Sequence, residues 1–197
     1  MQTLAPGLRR WTVRYETDIG EEDVGSVAVD TGDGLVLIDP LEPPAELARP
    51  AHVLLTVFWH ARSAAAVGAP RVWAPSRSRQ PLENRGVAVT DLVDGGLPGR
   101  IVAFRTPRKS EVVYWLPDHR SVVVGDVLLG AGARPLDADA DAPLRLCPER
   151  WLGTKPTHAD LRASLAPLLE LPVERVLVSH GAPVLANGLA ELERVLR

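Results

Sequence analysis

The sequence predicts an α+β fold with two β layers packed together and helices outside. Three observations carry this. Strand-like runs come in two batches, each followed by a helix and a further strand. Val122-Val123-Val124 is apolar on both faces, so that strand has to be covered on both sides. The C-terminal segment Gly188–Arg197 places Leu189, Leu192, Val195 and Leu196 on one helical face, an apolar stripe to lay against a sheet.

The elements follow in order. Trp11–Tyr15 alternates like a strand. Gly25–Thr31 and Leu35–Asp39 flank Gly32-Asp33-Gly34, and Asp-Gly between β-rich runs signals a hairpin. Pro40 and Pro43-Pro44 end that strand. His52–Thr56 and Arg71–Ala74 read as strands separated by a short helix that begins near Ser63, a good N-cap residue. Residues 75–100 carry Val87–Val89 and Leu92–Val93 as short strand candidates. Ile101–Arg105, Val112–Leu116 and Ser121–Gly125 are clearer strands, the last two joined by the turn Pro117-Asp118-His119-Arg120.

Residues 130–150 read as a loop. Asp137, Asp139 and Asp141 have the spacing that opens a calcium loop. Ala142 replaces its glycine and Pro148 its final glutamate, which leaves a solvated acidic stretch. Thr157 and Asp160 have capping-box spacing and open a helix to about Glu170, kinked at Pro167. Arg175–Ser179 is a strand.

Composition bounds the function. At 197 residues the chain fits one domain spanning 1–197, and burying roughly 70% of the unfolded surface gives it a full core. A net charge of −3 offers no electrostatic case for nucleic acid or an anionic membrane. No run approaches ~18 apolar residues and Met1–Trp11 has no signal-like core, so no membrane partner and a cytoplasmic location are expected. Cys147 is the lone cysteine and reads as a small buried hydrophobe. A homodimer is compatible with the sequence, which carries no feature requiring one.

Four stretches carry chemistry. Val53-Leu54-Leu55 runs into Thr56-Val57-Phe58-Trp59-His60-Ala61-Arg62-Ser63. Val122–Val124 runs into Gly125-Asp126, and Val176-Leu177-Val178-Ser179 into His180-Gly181. Thr106-Pro107-Arg108-Lys109-Ser110 lies between them, with Lys109 about 17 residues ahead of Asp126. With Gly34-Leu35-Val36-Leu37-Ile38-Asp39-Pro40, these stretches resemble, in order and spacing, the landmarks of the metallo-β-lactamase superfamily over roughly residues 15–185. The resemblance implies an αββα sandwich of four layers.

The resemblance also implies that the family's metal-ligand positions read here as Val57, Trp59, Ala61, Arg62, Lys109, Asp126 and His180. Only Asp126 and His180 keep ligand chemistry, and a catalytic zinc site takes three protein ligands. His60 is the one residue able to complete a set with them, although its place between ligand positions predicts that it faces away. Trp59 is expected to plug the vacated space. Arg62 or Lys109, preferably Arg62, is expected to pair with Asp126 in place of metal charge.

Three functions follow as expectations. The first is a degenerate, metal-free pseudoenzyme or small-molecule binding domain. Its cleft would be lined by Phe58, Trp59, His60, Arg62, Lys109, Asp126 and His180, and would suit an anionic ligand. The second is a hydrolase of an ester, thioester or similar bond. It would use zinc or iron on His60, Asp126 and His180, or work without metal with His180 as general base oriented by Asp126. The third is a structural or partner-binding subunit.

Overall fold

The computed structural model describes residues 1–17, 20–136 and 138–197. Seven strands form the first sheet in chain order: β1 (Gln2–Ala5), β2 (Leu8–Thr17), β3 (Gly20–Thr31), β4 (Gly34–Ile38), β5 (His52–Leu54), β6 (Arg71–Ala74) and β7 (Asp91–Leu92). Neighbours are antiparallel through β4 and parallel from β4 to β7. The switch follows connection length: Gly32-Asp33 turns β3 tightly into β4, whereas the later links cross over. The second sheet has the order β13-β10-β9-β8, with β8 (Val102–Arg105), β9 (Val112–Leu116), β10 (Ser121–Val124) and β13 (Arg175–Val178). A small ribbon pairs β11 (Leu128–Gly130) with β12 (Leu144–Leu146).

Four layers need three apolar seams, and strand alternation supplies all three. Val27, Val29, Val36, Ile38, Leu54, Tyr114, Val123 and Leu177 meet between the sheets. Their neighbours Ala28, Leu37, Val53 and Leu55 face the other way. They pack on α1 (Ala64–Val67) and α2 (Arg79–Glu83) through Ala64 and Leu82. On the far side Val113, Trp115, Val122, Val124, Val176 and Val178 receive Leu161 and Leu165 of α3 (His158–Leu165) and Leu192 and Val195 of α4 (Gly188–Leu196). The both-sided burial expected for Val122–Val124 is thereby met.

Several details differ from the sequence reading. α1 is a single turn, and Ser63 does not cap it: its Oγ accepts the Glu42 N–H at 2.9 Å. Val87 and Val89 are buried core residues outside strands, and α2, unanticipated, precedes them. The 130–150 stretch contains β12. Asp137 of the acidic run lies outside the described residues. The capping box at Thr157 and Asp160 is formed, and α3 gives way to a tighter turn at Ala166, next to Pro167.

Two clasps tie the sheets together along one edge. Gly25 N–H donates to Ser179 O at 2.7 Å beside a bridge between Val24 and His180. Val112 N–H donates to Thr56 O at 2.9 Å beside a bridge between Val57 and Glu111. The strand ends bearing Thr56, Asp126 and His180 therefore open into the same space.

Candidate active site

Asp126 is the hub. It follows β10, is buried, and has its backbone fixed first: Glu111 Oε1 accepts the Asp126 and Val127 N–H groups at 2.7 and 3.0 Å. A side chain at Gly125 would block this, since a Cβ there would lie 2.6 Å from Thr56 Oγ1 and 2.9 Å from Glu111 Oε1. Asp126 Oδ2 accepts the Trp59 indole N–H at 2.5 Å. Asp126 Oδ1 lies 3.1 Å from both His60 Nε2 and His180 Nε2, yet no donor of the described residues points at it well enough for a hydrogen bond.

The two histidines are held alike. His60 Nδ1 is 2.8 Å from Asp39 Oδ2, and Asp39 is itself fixed by the Thr56 N–H at 2.8 Å and the Thr56 hydroxyl at 2.5 Å. His180 Nδ1 is 3.0 Å from Glu22 Oε1. An ionised carboxylate only accepts, so each Nδ1 carries the proton and donates it. In the neutral rings this leaves two Nε2 lone pairs aimed at the anionic Oδ1. Such a meeting is tolerable only with protons or a cation between them.

The electrostatics agree. Burial pushes His180 down, but Asp126 and Glu22 outweigh it and lift its pKa to about 9. Burial and the Arg62 charge likewise lower His60, and Asp126 with Asp39 turn the balance upward. Burial raises Asp126, and the facing imidazoles bring it well below the usual carboxylate range. Glu111 is pushed up to about 7 by burial and by the Asp126 charge, with Arg108 acting against them.

Three expectations are corrected here. His60 does not face away: it is buried and points at Asp126, because the chain after Val57 tightens into a short helical turn, Phe58–Ala61, that swings it onto Asp39. Trp59 is not an apolar plug: it is 38% exposed and acts as a donor to Asp126. The cation facing Asp126 is neither Arg62 nor Lys109 but Arg108. Arg108 lies 3.6 Å from Asp126 Oδ2 and 2.9 Å from Glu111 Oε2, and its guanidinium sits 5.0 Å over the Trp59 ring.

The cause is a tight turn in which Glu111 N–H donates to Arg108 O at 2.8 Å. It sends Arg108 inward and leaves Lys109 exposed, lining a separate hollow near Arg77 and Arg105. Arg62 instead aims Nη1 at Gly25 O and Asp39 O, at 3.4 and 3.3 Å. Phe58 packs behind the site, edge-on to Trp59 and beneath Arg85.

These groups lie in a cleft of about 650 Å³ whose walls include Tyr15, Thr17, Trp59, Arg62, Arg85 and Trp151. One ligand atom each from His60, Asp126 and His180 lies within 4.8 Å of the others, the single such metal-capable group among the described residues. The sequence reading missed Glu22, Asp39, Arg108 and Glu111 as site residues. Asp39 and Arg108 stood inside the quoted motifs, and nothing local marks Glu22 or Glu111. His52, His119 and His158 stay out of the site. His52 is buried against the Trp73 indole, and His158 is half-buried against Cys147 O.

No protein-family model and no curated protein matches the chain. Solved structures do. A metallo-β-lactamase from Erythrobacter litoralis is 16% identical with a TM-score of 0.68, over 99% of this chain and 93% of that one. The metallo-β-lactamase IND-7 is 15% identical with a TM-score of 0.67, over 100% and 96%. FIM-1 from Pseudomonas aeruginosa, in its mono-zinc form, is 16% identical with a TM-score of 0.64, over 96% and 90%. TM-scores of 0.64 to 0.68 over nearly the whole of both chains show that this chain has the metallo-β-lactamase fold.

Proposed function

We propose that the protein is a hydrolase whose centre holds one divalent metal ion, zinc or iron, on His60, Asp126 and His180. The supporting observation is the orphaned Asp126 Oδ1, 3.1 Å from each of two Nε2 atoms whose rings are anchored through Nδ1 on carboxylates. Two ligand atoms about 2.1 Å from a common ion stand roughly 3.0–3.4 Å apart, so both spacings to Oδ1 fit. Carboxylate-backed histidines are the usual second layer of a metal site. Two histidines and one carboxylate suit non-haem iron, and three protein ligands with an open position suit catalytic zinc. FIM-1, of the same fold, carries one zinc in the structure above.

A metal held there would polarise an ester, thioester or similar carbonyl and lower the pKa of water. The chain's own residues do the rest. Glu22 and Asp39 fix which nitrogen of each histidine is free. Glu111 and Arg108 hold Asp126 in place, and Trp59 covers its second oxygen.

The metal content of protein purified without chelators tests this. About one equivalent of zinc or iron is expected, and loss of it in His60→Ala, His180→Ala and Asp126→Ala. Absence of uptake after dialysis against either metal would overturn the reading.

A second reading rests on His180. With its pKa raised to about 9 it is an imidazolium at neutral pH, whose charge balances the Asp126 and Glu22 carboxylates without metal. The cleft would then serve as a metal-free binding site. Failure of metal uptake together with ligand binding would select it.

A further inference from the structure

Arg62 is a cation of this cleft whose donors the network described above leaves largely unused. A guanidinium carries five N–H donors. Arg62 commits Nη1 alone, in two long contacts to the Gly25 and Asp39 carbonyls. Its Nε and Nη2 have no partner among the described residues, and neither is sealed from the cleft. No carboxylate of the described residues forms an ion pair with it, unlike Arg108. Burial pushes its pKa down despite Asp39 and Asp126. Its backbone is held at φ +38°, a left-handed conformation that costs a non-glycine residue of order 1–3 kcal/mol and is kept where surroundings enforce it.

We propose that Arg62 is the specificity residue of this site and takes a monocarboxylate group of the ligand, in a two-pronged contact through Nε and Nη2. The inference rests on the cleft being the substrate site. The charge count disfavours a multiply charged anion. Arg62, Arg85 and Arg108 line the cleft against Glu16, Glu22 and Asp126, so the side chains offer no surplus for a phosphate dianion or a polyphosphate. Arg85 is already stacked on Phe58 and bonded to Pro81 O, and Arg108 is paired with Glu111, which leaves Arg62 to do the selecting. The expected substrate is a small ester- or thioester-type compound with one carboxylate set away from the reacting bond.

Calorimetric titration with glutaramate, its neutral counterpart glutaramide, and phenyl phosphate tests this on protein as purified and after chelation. Glutaramate is expected to bind both forms, about 10- to 100-fold weaker in Arg62→Gln, with glutaramide weak throughout. Arg85→Gln is expected to keep the preference. Equal binding of glutaramate and glutaramide, tighter binding of phenyl phosphate, or unchanged affinity in Arg62→Gln would each overturn it. Should the glutamine variant not fold, Arg62→Lys serves, with glutaramate several-fold weaker than in wild type and unchanged affinity again fatal. Metal content of the same samples separates the two readings. Arg62-dependent glutaramate binding without metal uptake removes the hydrolase and leaves this inference standing. Metal uptake with no carboxylate preference does the reverse.

Discussion

At the scale of single residues, the site is a set of side chains each fixed by another. His180 depends on Glu22, and His60 on Asp39 and through it on Thr56. Glu22→Gln is expected to weaken metal binding by about 10- to 100-fold while leaving the melting temperature nearly unchanged, since it keeps shape and removes only the charge that orients the ring. Competition with a zinc chelator measures it, and an unchanged affinity would mean that Glu22 is a bystander. Cys147 belongs to a different class. It is buried behind the cleft, and burial lifts its thiol to about 12. It is expected to resist a thiol reagent at pH 8 in folded protein and to react at once in denaturant.

The residue scale is also where the sequence was least legible. Asp126 and His180 stood at recognisable strand ends. The orientation of His60 did not, because it depends on a turn at Phe58–Ala61 that only the contact with Asp39 explains. Arg108 is hidden in the sequence because its neighbour Lys109 holds the matching position, and one tight turn decides which of the two points inward.

At the scale of elements, hydrophobic alternation made most strands readable, since each is buried on at least one face. β6 and β9 span the residues expected of them, and β8, β10 and β13 fall within one residue. What escaped were pieces without periodicity: α2, the truncated α1 and the short β12. Capping chemistry was legible because it is local. Thr157→Ala removes the hydroxyl that accepts the Asp160 N–H, and should cost about 1 kcal/mol in chemical denaturation. Gly125→Ala acts on a closer packing. Its Cβ would press on Thr56 Oγ1 and Glu111 Oε1, so a destabilisation of roughly 1–3 kcal/mol is expected together with loss of metal binding. A variant as stable as wild type would show that the Glu111 carboxylate can move aside at no cost.

At the scale of the whole molecule, the three apolar seams outweigh the surface charges. Leu177 lies fully buried between the sheets, whereas Leu185 is 39% exposed. Leu177→Ala should therefore cost about 2–5 kcal/mol and Leu185→Ala under about 0.5 kcal/mol. Similar losses at both positions would contradict the layer assignment. The layered architecture followed from the order of strands and helices, while the clasps at Gly25 and Val112 that bring the strand ends together are long-range and left no local mark.

The acid run on β3 gives the two histidines unequal tolerance of error. Glu21, Glu22 and Asp23 are consecutive, and pleating turns only the middle one inward. A one-residue slip of the β2–β3 ribbon would exchange Glu22 for a neighbour of the same charge. Asp39 has no such spare. Ile38 and Pro40 flank it, so the same slip would set hydrocarbon against His60. The His180 side of the centre thus keeps a carboxylate one residue to either side of its place, and the His60 side keeps none.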